Sequence, residues 1–267
     1  MLIVCLALAT TLAASLVAFN RASESLHKQE KRRLTATLDG RMNELASYLA
    51  NIRADLRVQA ANPLVAEALQ SFGQSWNTLG QRPTEQLQKL YIAGNPHPVG
   101  QKFMLDDAGD GSAYSQAHRL DHPCLRQLQQ AQGYYDVFLF NKDGDLIYSV
   151  FKEADYVTNL IAGPSAQTDL GKAFRGARDN PSRNSEAFFD FSRYAPSNDA
   201  PASFISTPIL DQAGRSLGAL AYQMPIDRID AVMKNTLGLG QTGEFIVVGM
   251  DGLMRNTPRF AEGETIR

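Results

Sequence analysis

The chain has 267 residues, 44% of them hydrophobic and 20% charged, with a formal net charge of -2 and a pI near 6.1. That composition can bury a sizeable core in one or two domains and excludes a disordered or fibrous chain. No basic stripe stands ready to neutralise phosphates, so nucleic acid is not expected as a partner.

Leu2 to Phe19 carries no charge, and only Thr10, Thr11 and Ser15 interrupt its apolar character. At about 1.5 Å per residue the run spans roughly 27 Å, close to the hydrocarbon thickness of a bilayer, and it predicts a transmembrane anchor over residues 1–20. A cleaved signal peptide is the alternative, because Ala13, Ala14 and Ala18 offer small residues near a cleavage point. Nothing but Met1 stands where a basic n-region belongs, so the start is expected to lie upstream or to have been cut there. Arg21, Lys28, Lys31, Arg32 and Arg33 follow the run and by themselves favour a cytoplasmic C-terminal side. Long domains translocate largely regardless of that rule.

Leu34, Leu38, Met42, Leu45, Leu49, Ile52 and Leu56 then recur in steps of four and three, the pattern of one long amphipathic helix. From Met42 the spacing is near-heptad, which suits a two-stranded stalk as well as packing on a domain. Asn62-Pro63 ends the stalk, residues 21–62. Helices are expected over Leu64 to Leu79, Thr84 to Ala93 and His118 to Gln132, with a long connection from Asn95 to Gly111. Its Asp106, Asp110 and Gly111 do not make a calcium loop, since Ala108 and Ala117 stand where ligands belong.

From Gly133 the period becomes that of strands: Tyr134 to Phe140, then the turn Asn141-Lys142-Asp143-Gly144, then Leu146 to Phe151. A crossing loop over Lys152 to Ala166 precedes a helix from Thr168 to Ala177. Strands Ala187 to Tyr194, Ser203 to Leu210 and Ser216 to Gln223 follow, then a helix from Ile226 to Lys234 and a strand from Glu244 to Val248. The fold class is α+β, with an antiparallel five-stranded sheet in the element order of a PAS-like domain.

No catalytic constellation occurs, so no enzyme and no cofactor are expected. Gly238, Gly240 and Gly243 have dinucleotide spacing, but a helix precedes them and a strand follows, the reverse of what pyrophosphate binding needs. His118 and His122 stand at i, i+4 without an accompanying Glu, which favours a helix-surface or packing role over a metal site. Cys5 and Cys124 leave no disulfide within the soluble part, and Cys124 reads as a small apolar filler. Around the sheet, Tyr148, Tyr156, Asn159, Asp190, Tyr194, Ser203, Tyr222 and Gln223 form a dense set of aromatic and polar side chains. These are the candidate ligand-binding residues, on the face covered by the crossing loop.

Several segments resemble the Cache sensory domains of methyl-accepting chemotaxis receptors and of related histidine kinases and cyclases: Gly133-Tyr134-Tyr135-Asp136-Val137-Phe138-Leu139-Phe140, Ile147-Tyr148-Ser149-Val150-Phe151-Lys152-Glu153, Tyr194-Ala195-Pro196-Ser197 with Pro201-Ala202-Ser203-Phe204-Ile205, and Gly218-Ala219-Leu220-Ala221-Tyr222-Gln223-Met224-Pro225-Ile226. Gly240-Gln241-Thr242-Gly243-Glu244 with Asp251-Gly252-Leu253-Met254-Arg255 resembles the opening hairpin of the second module in double-Cache receptors. The resemblance implies a membrane-distal sensor module over residues 63–235 and the start of a truncated membrane-proximal module over 236–267. It also implies a periplasmic sensor on the inner membrane, a small-molecule ligand, and a homodimer formed through the stalk. Amino-acid-sensing members carry Arg-x-Trp-Tyr where this chain has Arg193-Tyr194-Ala195-Pro196, which disfavours amino acids as ligands. The alternatives are a tethered module that reads a periplasmic protein partner, or the sensor of a histidine kinase or cyclase.

Overall fold

The computed structural model describes residues 2–260. The stretches expected as anchor and stalk form one helix, α1 (Leu2–Ala60), whose first third is exposed and apolar. It is long and apolar enough to cross a membrane by length and composition. Its last turns bury Ile52 and Leu56 on the sheet, whereas Leu34, Leu38 and Met42 stay exposed.

Helix α2 (Pro63–Trp76) starts where the sequence places it, with proline in the first turn and the Asn62 side chain accepting from the Leu64 amide at 3.1 Å. A short α3 (Pro83–Gln88) runs into one π-helical turn over Lys89–Ala93. Helix α4 (Ala113–Gln132) is longer than expected because Ser112 caps it and Pro123 is accommodated within it. Gly133 closes it at φ 72°, a left-handed position that glycine occupies without steric cost.

Five strands follow: β1 (Asp136–Asn141), β2 (Leu146–Ser149), β3 (Ala187–Tyr194), β4 (Ala200–Leu210) and β5 (Ser216–Pro225). Helix α5 (Asp169–Asp179) lies between β2 and β3, and α6 (Ile226–Met233) follows β5. All pairings are antiparallel in the order β2-β1-β5-β4-β3, the PAS-like order, and the crossing loop joins the two edge strands.

Alternation along the strands divides the core into two faces. One face, with Val137, Leu139, Tyr148, Leu220 and Tyr222, packs on α1, α2 and α4. The other, with Phe138, Phe140, Ala202, Phe204 and Ala221, packs on α5 and Leu160.

Two expectations are corrected. Glu244 to Val248 is not a strand: Val248 makes an isolated bridge to Met254, and the Val247 amide is taken by the Asn256 side chain at 2.7 Å instead of by a neighbouring strand. Cys124 is exposed on α4, not a filler, because it lies on the solvent side of that helix. The last seven residues of the proposed second module, 261–267, lie outside the described residues.

Candidate functional site

Three carboxylates converge where β1 begins, β2 ends and the crossing loop sets out. Asp136 is buried at the first position of β1. Its Oδ1 accepts from the amides of Val137, Val150 and Phe151, and its Oδ2 accepts from the Ser149 hydroxyl at 2.6 Å. Burial pushes its carboxyl up to about 8, against the pull of the Ser149 hydrogen bond. Glu153, half-buried on the crossing loop, accepts from the Tyr135 hydroxyl at 2.7 Å and from the Ser197 hydroxyl. Burial raises it to about 7. Asp155, 1% exposed, accepts from the Tyr194 hydroxyl at 2.6 Å, and burial raises it to about 6.

All the donors to these side chains are hydroxyls and backbone amides; among the described residues no lysine or arginine forms an ion pair with any of them. Two acceptors are left over. Asp155 Oδ1 and Gln223 Oε1 are buried without a hydrogen-bond partner. A buried acceptor without a donor costs about 1–3 kcal/mol, so both are poised for an incoming donor.

Next to this acid chamber, where β4 begins and β5 ends, lies a cleft of about 500 Å³ whose lining includes Tyr135, Arg193, Ala200, Gln223 and Ile226. Tyr135 and Gln223 belong to both: each lines the cleft, Tyr135 binds Glu153, and Gln223 Nε2 donates to Ser197 at 3.2 Å. The middle of the same face is filled by Phe138, Phe140, Phe174 and Phe204. The free space is therefore at the end of the sheet, not under the whole crossing loop.

The eight candidate residues separate accordingly. Tyr194 and Gln223 are in the chamber. Ser203 is buried on β4 and donates to the Phe189 carbonyl at 2.6 Å. Tyr148 and Tyr156 point the other way, into the helical face, where they bond His122 Nδ1 at 2.6 Å and the Tyr114 hydroxyl at 2.9 Å. Tyr222 stacks on Tyr134, and both hydroxyls donate to Asp55 of the stalk, at 3.0 and 2.8 Å. Asn159 pins the β1–β2 turn through Asp143 and Asp145, and the exposed Asp190 pairs with Arg255 at 2.9 Å.

Asp136, Glu153 and Asp155 were missed as site residues. A signal existed for Asp136, an ionisable residue inside the otherwise aromatic and aliphatic run Tyr134 to Phe140. The expected surface or packing role of His118 and His122 resolves to packing: both are fully buried, with rings stacked 4.3 Å apart. Burial drives the imidazole of His122 down to about 2, so it stays uncharged.

No protein-family model and no curated relative matches the sequence. Among solved structures, the chain is similar to the sensor domain of the Vibrio cholerae histidine kinase DctB at 13% identity and a TM-score of 0.33, covering 62% of this chain and 59% of that one. It is similar to the ligand-binding domain of the Campylobacter jejuni chemoreceptor Tlp3, in complex with 4-methylisoleucine, at 12% identity and a TM-score of 0.39, covering 79% and 71%. A third is the ligand-binding domain of the Pseudomonas fluorescens chemoreceptor CtaA in complex with L-serine, at 16% identity and a TM-score of 0.34, covering 82% and 74%.

Proposed function

We propose that the chain is the ligand-sensing region of a bacterial membrane receptor of the chemotaxis type, anchored in the inner membrane by Leu2 to Phe19, with its sensor module, residues 63–235, outside the cytoplasm. The ligand is a small molecule that brings hydrogen-bond donors and positive charge into the acid chamber. The observation that carries this reading is the pair of unpartnered buried acceptors, Asp155 Oδ1 and Gln223 Oε1, beside carboxylates that lack a cationic partner. A cation supplies both the donors and the missing charge.

Transmission follows from adjacency on β5. Gln223 faces the chamber, and its neighbour Tyr222 holds Asp55 of α1 from the opposite face. A ligand that prefers one position of β5 shifts the population of stalk positions by its differential affinity for the two. The stalk pairs with a second copy along its exposed apolar positions Leu34, Leu38 and Met42.

Thermal-shift screening of the full chain in detergent against small amines, carboxylates and purines tests the reading. Ligand bound to the folded state raises the midpoint by mass action. Stabilisation by amines supports it; stabilisation by carboxylates alone overturns the assigned chemistry.

A second reading, a module that reads a protein partner, is favoured by the filled centre of the sheet face and by the groove of about 470 Å³ between α2 and α4, where Leu64 and Leu120 are exposed. Under it no small molecule moves the midpoint, and charged substitutions at Leu64 and Leu120 abolish signalling.

A further inference from the structure

Between residues 152 and 156 the crossing loop sends its side chains to two places. Glu153 and Asp155 enter the acid chamber; Lys152 and Tyr156 enter the helical face. The loop is fastened on the helical side by α3, whose Gln88 Nε2 donates to the Tyr156 carbonyl at 2.9 Å and whose Thr84 hydroxyl donates to the Val157 carbonyl at 2.6 Å. Two residues of the crossing loop hold left-handed backbone, Lys152 at φ 61° and the β-branched Val157 at φ 58°. Neither residue type adopts that region without compensating contacts, so the closed loop is held under strain.

Lys152 is 1% exposed. Its Nζ lies 3.1 Å from the Val150 carbonyl and 3.4 Å from His122 Nε2. The His122 ring is already committed: Nδ1 lies 2.6 Å from the Tyr148 hydroxyl, and Nε2 lies 2.6 Å from the Phe103 carbonyl. We assign the tautomer that carries its proton on Nε2, because a carbonyl can only accept. Lys152 therefore meets a donor on one side and a single carbonyl on the other, which suits an uncharged amine and not an ammonium with three N–H groups.

The charged and titratable groups around it are His118, His122 and Arg126 on α4, Asp106 in the connection before α4, Asp136 on β1, Tyr148 on β2, and Glu153 and Asp155 on its own loop. Among the described residues none of these carboxylates forms an ion pair with Nζ; Asp106 is held by Arg126 at 2.7 Å. Burial brings the amine down to about 7; the field of Arg126 acts in the same sense, and those of Asp136 and Asp106 oppose it.

We propose that Lys152 is a proton-operated latch on the crossing loop: the uncharged amine stays in the helical face and keeps the loop closed over the acid chamber, and a proton gained from solvent withdraws it and frees the loop. The proton adds to the Nζ lone pair and no other bond is made or broken. Acid opens the loop and base closes it. Opening carries Glu153 and Asp155 away from Tyr194 and Ser197, so the chamber is assembled only in the closed form. That consequence rests on the proposed ligand site; the latch itself is read without any ligand.

Hydrogen exchange of the full chain in detergent micelles, corrected for the intrinsic pH dependence of exchange, tests it. From about pH 8 to about pH 6, protection of amides 150–160 is expected to fall about tenfold while β1 and β5 keep theirs, and Lys152→Met is expected to stay protected throughout. Mass-spectrometric labelling of the unaltered chain by an amine-reactive reagent, normalised to the exposed Lys142, gives a readout that does not depend on a variant. Labelling of Lys152 relative to Lys142 is expected to rise as pH falls. Flat loop protection overturns the latch whatever the labelling, because a lowered amine value by itself raises the labelling of Lys152 relative to Lys142. An equal pH-dependent loss in Lys152→Met overturns it too. If no small molecule binds the chamber, the ligand reading fails and these outcomes are unaffected.

Discussion

Both faces of the sheet bury polar side chains but pair them differently. On the helical face, Tyr91, Tyr114, Tyr148, Tyr156 and His122 are all hydrogen-bonded, hydroxyl to hydroxyl, hydroxyl to ring nitrogen, ring nitrogen to carbonyl, and the one open group of that cluster, His118 Nε2, is packed among aromatic rings instead of facing a cleft. On the chamber side, three carboxylates share neutral donors and two acceptors remain open. A polar network closed in by packed rings fixes one structure, whereas open acceptors beside a cleft are placed to take a ligand's donors. Aromatic density alone, which both faces have, does not separate the two roles.

The largest effect that would sharpen this contrast lies on the satisfied face. Phe72, fully buried, rests 4.7 Å from the Tyr148 ring and 5.4 Å from Tyr114, centroid to centroid. Phe72→Ala is expected to destabilise the fold by ~3–5 kcal/mol in urea unfolding and to leave the intrinsic affinity of the remaining folded protein unchanged. A change in affinity with little loss of stability would break the contrast.

Lys152→Met comes next and acts in the opposite direction. The folded-state value of this lysine lies near 7, below its ordinary 10.5, so the cost of burying it is fully present at and below about pH 7. That cost disappears as pH rises toward the ordinary lysine value. The variant is expected to be more stable by on the order of 2–4 kcal/mol at neutral pH, with the advantage shrinking in alkaline solution. Denaturant midpoints across that range check the sign.

Tyr194→Phe removes the one hydroxyl donor to Asp155. It is expected to cost ~1–3 kcal/mol of stability as well as ligand affinity. Asp190→Asn is expected to do least, under about 1 kcal/mol in stability and nothing to affinity, because Asp190 is exposed and the buried Arg255 keeps Asp251 as a second partner at 3.0 Å. If Asp190→Asn weakens a chamber ligand more than Tyr194→Phe does, the chamber has been drawn at the wrong end of the sheet.

Much of the fold was legible because its signals are local. Alternation gave five strands, Asn62-Pro63 and Gly133 gave helix ends, and the apolar run gave a helix long and apolar enough to cross a membrane. The site was legible only in part. Tyr148 and Tyr156 sit on the helical face because a register shift between Leu139 and Phe140 and the turns of the crossing loop decide which way each side chain points, and spacing does not encode that. Tyr222 and Gln223, adjacent in sequence, necessarily face opposite sides of β5, so they were never to share one pocket. Asp136 and Asp155 carry the chamber, and their weight comes from burial without a cation, a property of three-dimensional neighbours. Glu244 to Val248 falls short of a strand because its hairpin partner reaches it only through the Gly249–Leu253 and Arg255–Val247 backbone bonds, and the Asn256 side chain takes the Val247 amide.

The central claim, that the chamber awaits a cationic donor, is tested most directly by calorimetric titration of the best small amine into the full chain and into Asp155→Asn. Affinity for the unaltered chain is expected to rise with pH as Asp155 and Glu153, whose values burial raises to about 6 and about 7, become ionised. Asp155→Asn should weaken binding by ~1–3 kcal/mol and flatten that rise, with the unliganded melting midpoint unchanged or higher. Equal affinity in the two proteins, or binding that strengthens as the acids are protonated, would contradict the account.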